Sequence, residues 1–503
     1  MITTMCTELT LPNDAQCLRM ARGYVRELAG LAGLATPDAE KLILAADEAC
    51  TNTVEHAFEP GETGTYTLKA EIAPGVLTVS ILDRGLPFDA SGVSEYRPPV
   101  SADAVAEGGL GLYLIRQAVD EARWINHGRA GKELRLTKRR PEADVTAQLP
   151  EAALAPYRDD EPKAPLQEYT IRRLRPDEAI WVAQCVYRAY GYTYFNDDLY
   201  YPERIVHQNA QERLVSVVAV TESGEVVGLY ALERPDLGAV AESGQAVVAP
   251  AHRGRQLMER MRTFLEAEGR RVGLRGIFGE PVTNHVFSQR MNESFGTRLC
   301  GVFLGSLPRA TQFKKIDDQP LTQRVSCMRY YKYLVPPETA IIHAPPHHQA
   351  ILERLYGSLG APVEFRSAGG SAHREEIAGP GDMEVVYNAT AGIGTIRVRR
   401  VGADTGAEIR RAQHDLCVLA GAEVVYLELP LAQPGTPAVC EAAESAGFFL
   451  AGLGPLFAPD GDVLALQYLA VDLDTARMQV QNPLGRELLA YVDAERVRVK
   501  RAV

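Results

Sequence analysis

The chain has 503 residues, of which 46% are hydrophobic and 23% charged. That composition excludes a fibrous or largely disordered chain, and at about 100–200 residues per domain the length predicts about three domains. The formal net charge of -12 argues against a broadly basic nucleic-acid-binding surface.

The first residues lack a basic segment followed by an apolar core, and no run approaches the roughly 20 apolar residues of a membrane span. The eight cysteines are scattered, without a C-x-x-C pair. They predict a reduced, cytoplasmic protein with neither a zinc ribbon nor a disulfide framework.

Residues 37–57 (PDAEKLILAADEACTNTVEHA) read as a helix, with Thr36 as cap and Pro37 at its start. Leu42, Ala45, Ala46, Ala49 and Cys50 form its buried stripe. Glu48 and Asn52, four apart, share another face. An amide oxygen suits Mg²⁺, and a carboxylate can take a proton from an attacking hydroxyl; the same pair on a plain solvated helix face would do neither. Val76–Leu82 alternates as a strand and runs into Asp83-Arg84-Gly85, where a carboxylate beside a glycine can meet an adenine amino group. Glu107-Gly108-Gly109-Leu110-Gly111 opens an amphipathic segment, and its backbone N–H groups suit phosphate. It follows a polar loop and not a strand, which argues against a dinucleotide fingerprint.

In this order and spacing, the three pieces resemble the GHKL ATPase superfamily and, within it, the anti-sigma-factor serine kinases. The resemblance covers about residues 5–140 and closes on a strand at Gly131–Arg139. It implies an α/β sandwich that binds ATP. By position it implies Asn52 as the Mg²⁺ ligand, Asp83 with Gly85 at adenine, Gly109 and Gly111 at the phosphates, and Glu48 as the base that activates a serine on a partner. In the family that partner is an anti-anti-sigma (STAS-type) domain. Pro87 stands where the superfamily often has glycine and stiffens that turn.

Residues 143–165 are rich in Pro, Ala and acid and read as a semi-rigid linker. Beyond it, strands are expected at Tyr169–Pro176, Leu214–Thr221, Val226–Glu233 and Ser243–Ala249, the last running into Pro250-Ala-His-Arg253-Gly254-Arg255 and a helix. A strand, a basic glycine turn and a helix N-terminus make a pyrophosphate cradle. Over about 168–335 this resembles the GNAT acetyltransferases, which implies acetyl-coenzyme A at Val247, Val248, Arg253, Gly254 and Arg255. Gln256 and Met258 are bulkier than the family's loop usually carries. Asn292 stands where many members place an acidic tyrosine. Glu242 and Glu280 are both candidate bases, and the polar segment Glu280–Gln289 is a candidate groove wall.

The last third repeats a weak pattern: Glu293-Ser-Phe-Gly with Gly301 is echoed by Glu444-Ser-Ala-Gly with Gly452. Ser367–Asp382 reads as a surface loop. Strands are expected at Val385–Ala389, Ile393–Val398 and Glu423–Leu429, and helices at Ala403–Leu419 and Pro437–Ala446. This unit lacks the Arg-Gly turn and has Ala443 at the tyrosine position, so it resembles a degenerate GNAT domain serving as scaffold or pairing surface. His347-His348 is discounted as a metal site, because adjacent residues point apart and no third ligand is evident.

The expected architecture is thus α/β (α+β). A GHKL sandwich (1–142) and a linker (143–165) precede tandem GNAT-like mixed sheets (166–336 and 337–503). The expected activity is an ATP-dependent serine/threonine kinase with an N-acyltransferase region. The alternatives are a non-catalytic ATP and acyl-coenzyme A sensor, or an acetyltransferase regulated by its ATP domain. Neither a nucleic acid nor a membrane is expected as partner; the acyl acceptor is unknown, and a homodimer is left open.

Overall fold

The computed structural model describes residues 5–59, 61–85, 114–115, 117–126, 131–140, 143–158, 160–192, 194, 196–309, 321–366, 379–389 and 391–501. The expected lid glycines Gly109 and Gly111, with Pro87, lie outside them, as does most of the expected loop at 367–382.

The first unit contributes strands β1 (Met5–Pro12), β2 (Thr65–Ala73), β3 (Val76–Asp83), β4 (Glu121–Asn126) and β5 (Lys132–Arg139), paired in the order β1-β2-β3-β5-β4, all antiparallel. Helices Leu18–Leu31 and Thr36–His56 pack on one face. Leu42, Ala45, Ala49 and Cys50 are buried against Leu68, Leu77, Val79 and Leu136. Thr36 is the first helical residue and Ala35 the cap, without a side-chain bond, so the expected cap shifts by one position.

The second unit holds β6 (Tyr169–Arg173), β7 (Leu214–Thr221), β8 (Val226–Glu233), β9 (Val240–Val248), β10 (Gly276–Gly279), β11 (Arg298–Leu307) and β12 (Val325–Tyr333). Its sheet is antiparallel except where β9 and β10 run parallel from Val240/Gly276 to Glu242/Phe278. Beyond Glu242 the two strands part. The helix Leu257–Arg271 links them, as a parallel crossover requires.

The segment 143–165 is not a free spacer. Val145, Leu154 and Tyr157 are buried in the second unit. Gln184 and Arg188 donate to the carbonyls of Ala153 and Ala155 (2.8 and 2.9 Å). Three well-spaced apolar side chains give no periodic signal, yet they suffice to dock a short segment.

The third unit contains β13 (Ala340–Ile342) and β14 (Val363–Phe365) as a separate pair. Its main strands are β15 (Asp382–Asn388), β16 (Ile393–Arg400), β17 (Val424–Pro430), β18 (Phe449–Ala458) and β19 (Gly461–Leu469). Parallel β16 and β17 repeat the β9/β10 arrangement, and β18/β19 repeat β11/β12. The echo read in the sequence is a structural repeat down to its irregularities. Register shifts fall at Leu299/Gly301 and Phe303/Leu307 in β11, and with the same spacing at Leu450/Gly452 and Gly454/Ala458 in β18. The two copies meet where Gly301 pairs with Gly452. A single core then crosses the 336/337 boundary, with Val302, Leu304, Met328 and Tyr330 packed with Leu427, Leu450, Leu464 and Leu466.

The third unit also pairs with the first: β15 runs antiparallel to β4, with Val385 opposite Trp124. Among the described residues, seventeen strands therefore form one hydrogen-bonded sheet. No helix of the described residues is long and apolar enough to cross a membrane.

The glycine pair at the junction is sterically required. A Cβ on Gly452 would lie 2.3 Å from the carbonyl oxygen of Cys300 and 2.4 Å from Gly301 Cα. We predict that Gly452→Ala destabilises the chain by about 3 kcal/mol, at the upper end of overpacking costs. The check is the urea midpoint, expected to fall without loss of secondary structure.

Candidate functional site

Glu48 and Asn52 are half-buried on the Thr36–His56 helix. Burial raises the Glu48 pKa, and the charges of Asp47 and Glu55 add to it. That moves a carboxylate toward the range of an effective general base. Its neighbour Asp47 is held by Arg22 at 2.9 Å, which ties the two helices together. Beneath them lies Cys50, whose thiol is pushed up to about 12 by burial, with the Asp47 charge acting in the same direction.

Asp83 is the last residue of β3 and is buried. Its Oδ1 accepts from the Gly85 N–H at 3.0 Å and lies 3.3 Å from Lys132 Nζ, across the β3–β5 pair. Lys132 escaped the sequence reading; its only sequence signal is a basic residue opening the strand opposite Asp83. Gly85 touches the end of the helix bearing Glu48 and Asn52, since a Cβ there would lie 1.9 Å from the Ala57 carbonyl oxygen. Gly131 is equally pressed, its added Cβ falling 2.3 Å from the Asp83 carbonyl oxygen. The turn after β3 is thus pressed on the helix terminus through Gly85 and on the start of β5 through Gly131. The first unit thus offers an amide oxygen and a half-buried carboxylate on one helix, and a buried carboxylate at the end of β3.

In the second unit, Val247 and Val248 are buried at the end of β9. Gly254 has φ +82°, and Gln256 begins the next helix in left-handed geometry without a side-chain cap. First-turn N–H groups of that helix have no capping side chain and suit an anion. The two arginines differ. Arg253 is exposed and donates from Nε to the Val248 carbonyl (3.1 Å), whereas Arg255 donates to the Ala164 carbonyl (2.8 Å). The 143–165 segment lies over this turn, fixed also by Lys163 on the Pro250 carbonyl (3.1 Å).

The two candidate bases separate clearly. Glu280 is bound by Arg329 at 2.6 Å, and Arg329 in turn sits over the rings of Phe303 and Phe457. Glu242 lies where β9 and β10 part. Burial, with the charges of Glu280 and Glu233, pushes its pKa well above the carboxylate range. It lines a cavity of about 1380 Å³ between the three units, whose wall also includes Arg135, Glu233, Arg397, Glu428 and Phe457. Arg329 was missed although it opens an aromatic run, because a charge there gives no hint of its distant partners. Nearby in sequence, Asn284 Oδ1 and Nδ2, His285 Nδ1 and Ser288 Oγ are buried without hydrogen-bond partners. Such atoms are costly unless water or a ligand satisfies them.

One expectation is corrected. His347 and His348 do not point apart, because they sit on the single 3-10 turn Pro346–His348 and not on a strand. Their Nε2 atoms lie 2.8 and 2.9 Å from the same oxygen of Glu444.

Among known families, the histidine kinase-like ATPase domain matches residues 11–138. The serine-protein kinase RsbW of Bacillus licheniformis is 32% identical over 120 residues, 23% of this chain and 75% of that protein. The RsbW of Bacillus subtilis is 31% identical over 135 residues, 26% of this chain and 83% of that protein. Two solved structures resemble part of this chain. A putative acetyltransferase from Salmonella typhimurium with acetyl-CoA is 16% identical, covering 33% of this chain and 95% of that one at a TM-score of 0.27. An aminoglycoside 6'-N-acetyltransferase complexed with coenzyme A is 17% identical, covering 34% and 99% at 0.26.

The buried thiols should be inert in the folded chain. At pH 8, iodoacetamide is expected to modify exposed Cys6 and to leave Cys50 untouched until denaturant is added. Peptide mass mapping of the two states checks this.

Proposed function

Because this chain belongs, through its N-terminal quarter, to the histidine kinase-like ATPase family, we propose that it transfers the γ-phosphoryl group of ATP to a serine on a partner protein. The observation that carries this reading is the helix presenting Glu48 and Asn52, with Asp83 and Gly85 locked against its end. Asp83 accepts a hydrogen bond from the adenine amino group, with Lys132 Nζ set 3.3 Å from its carboxylate. Asn52 supplies an oxygen ligand to Mg²⁺, which when bound neutralises phosphate charge. Gly109 and Gly111 line the phosphates. Glu48 takes the proton of the serine hydroxyl as that oxygen bonds to the γ-phosphorus and the bond to ADP breaks. The partner class is an anti-anti-sigma (STAS-type) domain.

Incubation with labelled ATP and such a domain tests this. Glu48→Gln is expected to lower transfer by about 10²–10⁴-fold with nucleotide binding intact, the range for a lost general base. Asp83→Asn is expected to abolish nucleotide binding itself. Transfer undiminished in Glu48→Gln removes the assigned base.

A specific observation favours a second, compatible reading of the later units. Glu242 at the wall of a large cavity suits an acceptor pocket, and the glycine turn ahead of an uncapped helix suits an acyl-coenzyme A pyrophosphate. Val247, Val248 and the Arg253–Arg255 turn hold the cofactor, and Glu242 is the better base because Arg329 engages Glu280. Calorimetry with acetyl-coenzyme A is expected to show binding that Arg253→Glu weakens. Binding without acyl transfer to any amine would make this unit a sensor, and no binding would remove the reading.

A further inference from the structure

The geometry points to a zinc-binding site in the third unit, formed by His347, His348, Glu444 and Glu495, independent of the ATP and acyl-coenzyme A readings. One ligand atom from each of the four lies within 4.8 Å of all the others. Four ligands around a tetrahedral Zn²⁺ sit about 3.3–3.5 Å from one another, given bonds of about 2.0–2.2 Å. The four groups therefore need only small side-chain shifts to enclose an ion. They come from three separate elements: the Pro346–His348 turn, the end of helix Thr436–Glu444 and the C-terminal helix Pro483–Lys500.

Hydrogen-bond bookkeeping favours a cation there. The Tyr491 hydroxyl donates to the His347 carbonyl oxygen at 3.1 Å. Its oxygen is then left to accept from His348 Nδ1, 2.9 Å away. A neutral His348 carrying its proton on Nδ1 turns the Nε2 lone pair toward the Glu444 carboxylate, 2.9 Å off. A lone pair facing a carboxylate needs either a proton or a cation between them, and a metal ion at this position would meet that need for His347 and His348 together. Fixing the second nitrogen in this way is the usual support for a metal-bound imidazole. His348 and Glu444 are buried, which makes an unbalanced arrangement costly.

Here Arg498 supplies the balancing charge. Its Nη2 lies 2.9 Å from Glu444, 2.6 Å from Glu495 and 3.5 Å from His347 Nε2. Its side chain is 44% exposed, so it can swing into solvent and yield the carboxylates to a metal. Two imidazoles with two carboxylates suit Zn²⁺ better than Mg²⁺ or Ca²⁺, which prefer oxygen alone.

The test is titration of the metal-free full chain with Zn²⁺ and, separately, Co²⁺. We expect one Zn²⁺ per chain, a higher melting temperature with zinc, and the intense visible spectrum of four-coordinate Co²⁺, abolished by added Zn²⁺. His347→Ala, at a half-exposed position that tolerates truncation, should weaken binding at least about 10-fold, and Glu495→Gln likewise. Arg498→Ala should bind zinc at least as tightly as the parent. Absence of one-to-one binding, parental affinity in His347→Ala, or loss of zinc in Arg498→Ala would each overturn the site.

Discussion

Strand edges are the constraint on which this molecule depends. A sheet edge exposes a row of N–H and C=O groups that must find partners in water or protein. Four of the edges that separate domains would leave open are closed in pairs, β4 with β15 and β11 with β18. The pairing joins three units into one ladder, and its tightest point tolerates only glycine. The large cavity follows from this closure, since its wall draws residues from all three units.

The chemistry of the first unit rests on a similar economy of side chains. Gly85 and Gly131 bring backbone onto backbone, so the turn after β3 is fixed by contacts that any Cβ would break. Asp83 is held by the strand register that sets it opposite Lys132, and Glu48 by a helix whose buried stripe fills the core. The second unit is built differently. Its acids are buried, and only some are neutralised: Arg329 takes Glu280 and leaves Glu242 in the low-dielectric space beside it.

Local signals made much of this readable. The Thr36–His56 helix, β3 and the β9–turn–helix unit carry their starting proline, alternation and turn residues within a few positions, so their place in the fold follows from the sequence. The repeat was also visible in Glu293/Glu444 and Gly301/Gly452, because a glycine forced by close approach is preserved in both copies. What stayed hidden was long-range. Lys132, Arg329 and the convergence of His347 with Glu444 depend on register and on helix packing between residues far apart in the chain. The C-terminal helix drew no comment although Asn482 caps it and Pro483 starts it, and with it went Glu495. The 143–165 segment misled because Pro and acid dominate its composition while three scattered apolar residues decide its fate.

The ladder has two ends, and they are unlike. β1 and β6 each pair on one side only among the described residues. Pro12 closes β1 without an amide hydrogen, and the five-residue β6 carries Arg172 and Arg173. A proline and a short basic strand are poor templates for an added chain. A sheet of this width would otherwise offer two open templates for end-to-end pairing, and its blunted margins work against it.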